Sequence, residues 1–366
     1  MDLTAATADL AAAASDLVRL VPGRLIDPVL AGLLITADAD GVALAGNDRE
    51  RAARLDAAAL VHTDGQVLVP AKPFAETLRA LTEPEVRLVV EGTRLAIRTP
   101  GARYALPLLD AAKHPGVPVP PPLAGTVDAR QLASALSTVA VAASRDDALP
   151  MFTGVRVRSE GAELVLLATD RFQLALARLP WRPGRRDVDA LVPASLLTEI
   201  ARQVAPSGDV TLHADADRFG LGWGAATVTT AVLDGTFLHE SKVPMSYVDT
   251  ELTLDADTLA AAVRRVGLYT DTRGVLLFEP GDGEVRLRGT DQYTGEAEES
   301  VKSTVDGGRT PQAFQARYLT AALRPFAGGQ VRIRLQPGMR ATTFTTPNPT
   351  PVTLQYVVMP MLPPKP

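Results

Sequence analysis

The feature that most constrains this chain is a motif written three times. Gly32, Gly154 and Gly274 stand 122 and 120 residues apart, and each leads through an apolar run and a turn to an aspartate, Asp48, Asp170 and Asp291. Glycine and aspartate are separated by 16, 16 and 17 residues. The middle copy is the clearest. Leu164, Val165, Leu166 and Leu167 form an apolar run that ends in Ala168, Thr169 and Asp170, and an alternating stretch follows through Phe172, Leu174 and Leu176. That pattern predicts two strands joined at a tight polar corner. Recurrence at a fixed offset dictates repeated architecture, and it divides the chain by three.

Other landmarks keep the same spacing. Segments 69–81, 192–204 and 314–326 each read as an amphipathic helix of about three turns entered from a strand. A further helix opens each unit, over 7–20, 128–143 and 255–269, with Asp128 and Asp255 as N-caps whose carboxylates accept from first-turn amides. The expectation is an α+β chain of three similar helix/sheet domains, 1–122, 123–247 and 248–366. The proline-rich run 115–122 is a stiff, extended linker, and a second boundary is expected at 244–249.

Composition narrows the chemistry. There is no cysteine among the 366 residues, so disulfides and thiolate sites are excluded. No apolar stretch approaches the ~18 residues of a membrane span. Asp2, Asp9 and Asp16 replace the basic start of a signal peptide, which predicts a cytoplasmic protein with no membrane association. The net charge of −5 gives by itself no sign of a nucleic-acid partner. His62, His114, His213 and His239 are scattered without metal-ligand spacing. The Asp pairs 38/40, 187/189, 215/217 and 255/257 fall where turns and helix starts favour aspartate anyway. Neither a glycine-rich phosphate loop nor a nucleophile elbow is present. No catalytic group, metal site or cofactor is expected.

The stretch 168–174 (Ala-Thr-Asp-Arg-Phe-Gln-Leu), the preceding 144–150, the ending 356–361 (Tyr-Val-Val-Met-Pro-Met) and the pair Gly23 and Arg24 resemble the bacterial DNA polymerase III β subunit, the sliding clamp. The resemblance implies a DNA clamp fold: a head-to-tail homodimeric ring, helices inside and sheets outside, that encircles double-stranded DNA without reading its sequence. Such a ring is a non-catalytic processivity factor. Its partners are the DNA polymerase III α subunit, the clamp loader and other proteins carrying a clamp-binding motif. Arg24 and Lys72 match family positions that contact DNA, and Arg79, Arg202, Arg264 and Arg317 lie on the helical segments that would line the hole. The family's partner-peptide groove maps onto Thr169, Arg171, Phe172, Leu174, Lys242, Val243, Val357, Val358, Met359, Pro360 and Met361. Ring closure maps onto Leu106, Leu108, Val266 and Leu268.

Departures concentrate in the groove. The family usually has arginine at Gln173 and Lys242, proline near Leu238, and Arg-Leu where this chain continues with Leu362 and Pro363. Lysine for arginine gives up a planar bidentate donor. These differences raise two alternatives: a divergent second clamp whose altered groove confers resistance to a clamp-binding antibiotic, and a peptide-binding scaffold that does not engage DNA.

Overall fold

Each repeated aspartate closes the second strand of a hairpin. The hairpins are Gly32–Asp38 with Gly41–Asn47, Gly154–Glu160 with Glu163–Thr169, and Val275–Pro280 with Glu284–Asp291. Asp48 Oδ1 accepts from the backbone N–H groups of Glu50 (3.0 Å) and Arg51 (2.7 Å). Asp170 Oδ1 does the same for Phe172 and Gln173, both at 2.9 Å. Asp291 Oδ1 takes Tyr293 at 2.8 Å and Thr294 at 3.0 Å. A short carboxylate can satisfy two turn amides at once, which is why the position is aspartate in every copy.

The computed structural model describes residues 1–23, 27–204, 208–235, 237–238, 247–348 and 350–363. Among them are six α-helices: α1 (Thr7–Leu20), α2 (Ala71–Ala80), α3 (Ala129–Val139), α4 (Ala194–Gln203), α5 (Ala256–Val266) and α6 (Ala316–Leu323). Every third of the chain runs strand, helix, five strands, helix, three strands. α1 buries Leu10, Ala14, Leu17 and Leu20, the stripe expected of a helix packed on one face. Asp255 caps α5, accepting from Thr258 N–H at 2.8 Å. α3 and α5 end before 143 and 269, tightening into 3-10 turns at Ala140–Ala142 and Gly267–Tyr269. None of the described helices is long and apolar enough to cross a membrane.

Packing divides the chain differently from the repeat. Residues 1–130, 182–190 and 202–232 form one compact unit, and 131–181, 191–201 and 233–366 form the other. The first unit holds a five-stranded and a nine-stranded sheet. In the larger sheet Ala226–Ala231 pairs antiparallel with Arg51–Ala57, Thr230 lying opposite Arg51. The second unit has the matching joint, Thr353–Val358 against Gln173–Pro180 with Val358 opposite Gln173. It also holds a four-stranded sheet. The last strand of one third thus extends the sheet of the third before it. Unpaired edges are templates for association, and each joint covers two of them by pairing the last strand of one third with the third strand after the helix of another. Two corresponding edges stay open: Ala102–Pro107 closes the five-stranded sheet and Gly295–Lys302 the four-stranded one.

Candidate partner groove and basic surface

The groove belongs wholly to the second unit and is built on the Asp170 corner. Arg171 sits at φ +83°, in the left-handed region that side chains disfavour. It is held there by a closed set of hydrogen bonds. Its N–H donates to Thr169 Oγ1 at 3.0 Å, and the Thr169 hydroxyl donates to the Gln173 carbonyl at 2.6 Å. The corner in turn grips the C-terminal segment, because Met359 N–H donates to the Phe172 carbonyl at 2.8 Å and Met361 N–H to the Ala313 carbonyl at 2.7 Å. Behind this frame Val165, Leu167, Leu174, Leu176, Leu191, Phe237, Ala341 and Val357 form one apolar cluster. Met151, Phe152, Leu233 and Leu238 pack on it while staying partly exposed. Phe152 meets Phe237 edge to face at 6.4 Å. Phe172 (50% exposed) and Met359 (36%) project from the rim.

A polar frame underlies the apolar wall. The buried Tyr356 hydroxyl donates to Gln173 Oε1 at 2.7 Å, and Gln173 Nε2 donates to Asp170 Oδ2 at 3.0 Å. Burial pushes the Tyr356 phenol well above the usual tyrosine range, and the Asp170 charge pushes it further. On the rim, Phe172 stacks on Tyr318 of α6 at 6.2 Å. The Arg171 guanidinium lies 5.8 Å from the Phe172 ring and that of Arg317 4.6 Å from the Tyr318 ring, capping the stack at both ends. Tyr318 and Tyr356 escaped sequence reasoning as site residues. Tyr318 lies in a segment read as an amphipathic helix and Tyr356 at the start of the 356–361 motif, and only tertiary pairing brings their rings to the corner.

Thr169, Arg171, Phe172, Leu174, Val357, Val358, Met359, Pro360 and Met361 converge here, with Val358 fully buried and supporting the wall from behind. Lys242, Val243 and Arg24 lie outside the described residues. Arg317 is exposed on α6 beside the groove rim. Its Nη2 donates to the Tyr318 hydroxyl at 3.1 Å and its Nε to Gln315 Oε1 at 2.9 Å, which ties its guanidinium to the rim. Lys72 and Arg79 are exposed two turns apart on α2, Lys72 paired loosely with Glu76 at 3.8 Å. Arg202 and Arg264 are exposed in the last turns of α4 and α5. Of the ring-closure residues, Leu268 is 72% exposed and Leu106 and Leu108 are half-buried. Val266 is a correction: at 1% exposure it shares the buried face of α5 with Leu259, Ala262 and Val263, so its side chain has no surface to give a second chain.

A threefold helix/sheet repeat, sheets that run through the repeat joints and an apolar groove at one joint define a sliding clamp, here in its α+β, three-domain form. A solved clamp from Pseudomonas aeruginosa bound to griselimycin has the same fold, with a TM-score of 0.91 at 22% identity over 99% of both chains. The models of the DNA polymerase III beta subunit match in order: the N-terminal domain over 1–118, the central domain over 126–238 and the C-terminal domain over 244–362. The chain belongs to the DNA polymerase III β subunit family and is a DNA sliding clamp. The beta sliding clamp of Micrococcus luteus is 34% identical over 283 residues, 76% of this chain and 91% of that one. A beta sliding clamp homolog from Streptomyces muensis, GriR, is 29% identical over 301 residues, covering 81% and 80%.

Proposed function

We propose that two copies close head to tail around duplex DNA and tether a replicative polymerase through the groove, as a non-catalytic processivity subunit working in the cytoplasm. The observation that carries this reading is the strand-pairing rule. The last strand of the second third adds to the sheet of the first, and the last strand of the third adds to that of the second. The same step leaves the last strand of the first third, Ala102–Pro107, to pair with Gly295–Lys302 of another copy. A heterologous contact of this kind makes a ring when its rotation closes. The edges also differ in charge, Arg103 on one being paired within its chain to Glu91 and the other carrying Glu296 beside Glu298 and Glu299, which pair with Arg288 and Arg265. Lys72, Arg79, Arg202 and Arg264 supply phosphate attraction without base readout, as sliding requires. The groove takes a short linear motif from the polymerase α subunit, the clamp loader and other partners. Its Met and aliphatic lining suits Leu and aromatic anchors.

Loading tests the proposal. The protein, loaded onto nicked circular duplex DNA, should remain bound through a salt wash and be released when the circle is linearised. Retention on linear DNA with free ends, or loss from the circle in salt, would overturn it.

A second reading, a divergent clamp that withstands a groove-binding antibiotic, is favoured by Gln173. Where the family usually carries arginine, this residue is tied into the buried Tyr356–Asp170 frame. Titration with griselimycin and with a replicase clamp-motif peptide decides between the two. Weak inhibitor binding beside normal peptide binding supports the resistant clamp, and equal affinities remove it.

A further inference from the structure

The Asp170 corner has a twin in the first unit. Arg49 sits at φ +78°, as Arg171 does at +83°. Its N–H donates to Asn47 Oδ1 at 2.7 Å, as Arg171 N–H does to Thr169 Oγ1. Ala231 N–H donates to the Glu50 carbonyl at 2.8 Å, and Met359 N–H to the Phe172 carbonyl at the same 2.8 Å. Even the flank repeats, Leu109 N–H to the Leu68 carbonyl and Leu233 N–H to the Leu191 carbonyl, both at 2.8 Å. Strand register then aligns the two walls. Ala52 stands for Leu174, Thr229 for Val357, Thr230 for Val358 and Arg51 for Gln173. One strand further, Arg218 takes the place of Ala341.

The backbone of the groove is therefore present twice, and in the first unit its chemistry is inverted. A cavity of about 380 Å³ lies at the twin corner, lined by Asn47, Arg49, Arg51, Arg218, Thr229 and Thr230. Pro115 and Pro118 of the stiff linker wall one side, and Glu50 is the acidic residue of the lining. Burial pulls the Arg51 guanidinium below its ordinary range, and the charges of Asp48 and Glu50 offset part of that. Neither Arg49 nor Arg218 forms an ion pair with another described residue. An apolar anchor here would strip water from threonine and arginine groups without replacing their hydrogen bonds. A carboxylate matches the planar fork of arginine and can be held bidentately.

We propose that this pocket is a second docking site, taking a short acidic segment of a partner protein through its Asp or Glu side chains. The inference rests on reading the Asp170 groove as a peptide site, because the shared backbone frame is what makes the twin a peptide receptor. Its volume admits one or two side chains, not a helix.

Fluorescence anisotropy tests it with a labelled octapeptide of alternating Glu and Gly, and with the matching Gln–Gly peptide. The Glu peptide should bind at least about tenfold tighter, the scale of one charged hydrogen bond. Arg218→Ala combined with Arg51→Gln, which copies the groove's own residues into the twin, should abolish that preference and leave binding of an apolar Leu/Phe clamp-motif peptide unchanged. Phe172→Ala should do the reverse. Equal binding of the Glu and Gln peptides, or an unaffected double variant that melts like the parent, overturns the proposal. So does saturation by inorganic phosphate with no peptide binding, which would make the pocket a free-anion site. Loss of clamp-motif binding with an intact Glu preference counts instead against the groove reading alone.

Discussion

Arg171 and Arg49 occupy the same disfavoured backbone conformation at twin corners. A non-glycine residue in the left-handed region costs on the order of 1 kcal/mol. Glycine removes that cost and gives back part of it through the greater freedom of the unfolded chain. Arg49→Gly should raise the urea midpoint, by about 0.5–1 kcal/mol in stability, and Arg171→Gly by less, because it also loses the contact of its guanidinium with the Phe172 ring. Tyr356 makes the opposite case. Tyr356→Phe leaves Gln173 Oε1 buried without its donor, which should cost about 1–3 kcal/mol at neutral pH. The phenol's pKa is raised in the fold, so its contribution is complete below the unfolded value of about 10 and declines as pH rises beyond it. The variant should therefore show a shallower alkaline loss of stability than the parent, read from melts across that range.

At the scale of elements, local rules serve well until a partner strand is needed. Asp255 caps α5 as its sequence context predicts, and the Thr258 hydroxyl and N–H hold its carboxyl below the usual range. Asp255→Ala should cost about 1 kcal/mol. Because the folded pKa is depressed, the difference between parent and variant should persist at neutral pH and fade as pH drops through the folded value below 4. The helices, the three hairpins and the aspartate corners were legible because period, capping and turn chemistry are short-range. The joint between Gln173–Pro180 and Thr353–Val358 was not, since those strands are far apart in the chain and no local signal specifies their pairing. Val266 was misplaced for a related reason. A helix pattern gives a buried stripe, but not which boundary residue a neighbouring element covers, nor which ring an arginine will cap.

For the whole molecule, the repeat makes a prediction down to single residues. Carrying the register of the two internal joints over to the open edges sets Leu106 opposite Gly295, Tyr104 opposite Ala297 and Arg103 opposite Glu298 of a second copy. The third corner is one residue longer than the others, and this shift is included. The chain contains no cysteine, so an introduced pair reports on this contact alone. Tyr104→Cys with Ala297→Cys should oxidise to a covalent dimer with two bridges, because directly opposed strand residues bring their Cβ atoms to about 4.5–5.5 Å, within reach of a disulfide after small adjustment. Either substitution alone should stay monomeric on a non-reducing gel. In a face-to-face dimer identical residues meet at the axis, so a single variant could bridge while the pair gained nothing. Leu268→Lys, placing a charge at an exposed leucine in the turn that follows α5, should weaken association in sedimentation without lowering the melting temperature of the isolated chain. If the double variant fails to bridge while Leu268→Lys leaves the dimer intact, the strands pair elsewhere and the internal repeat does not extend across the boundary between chains.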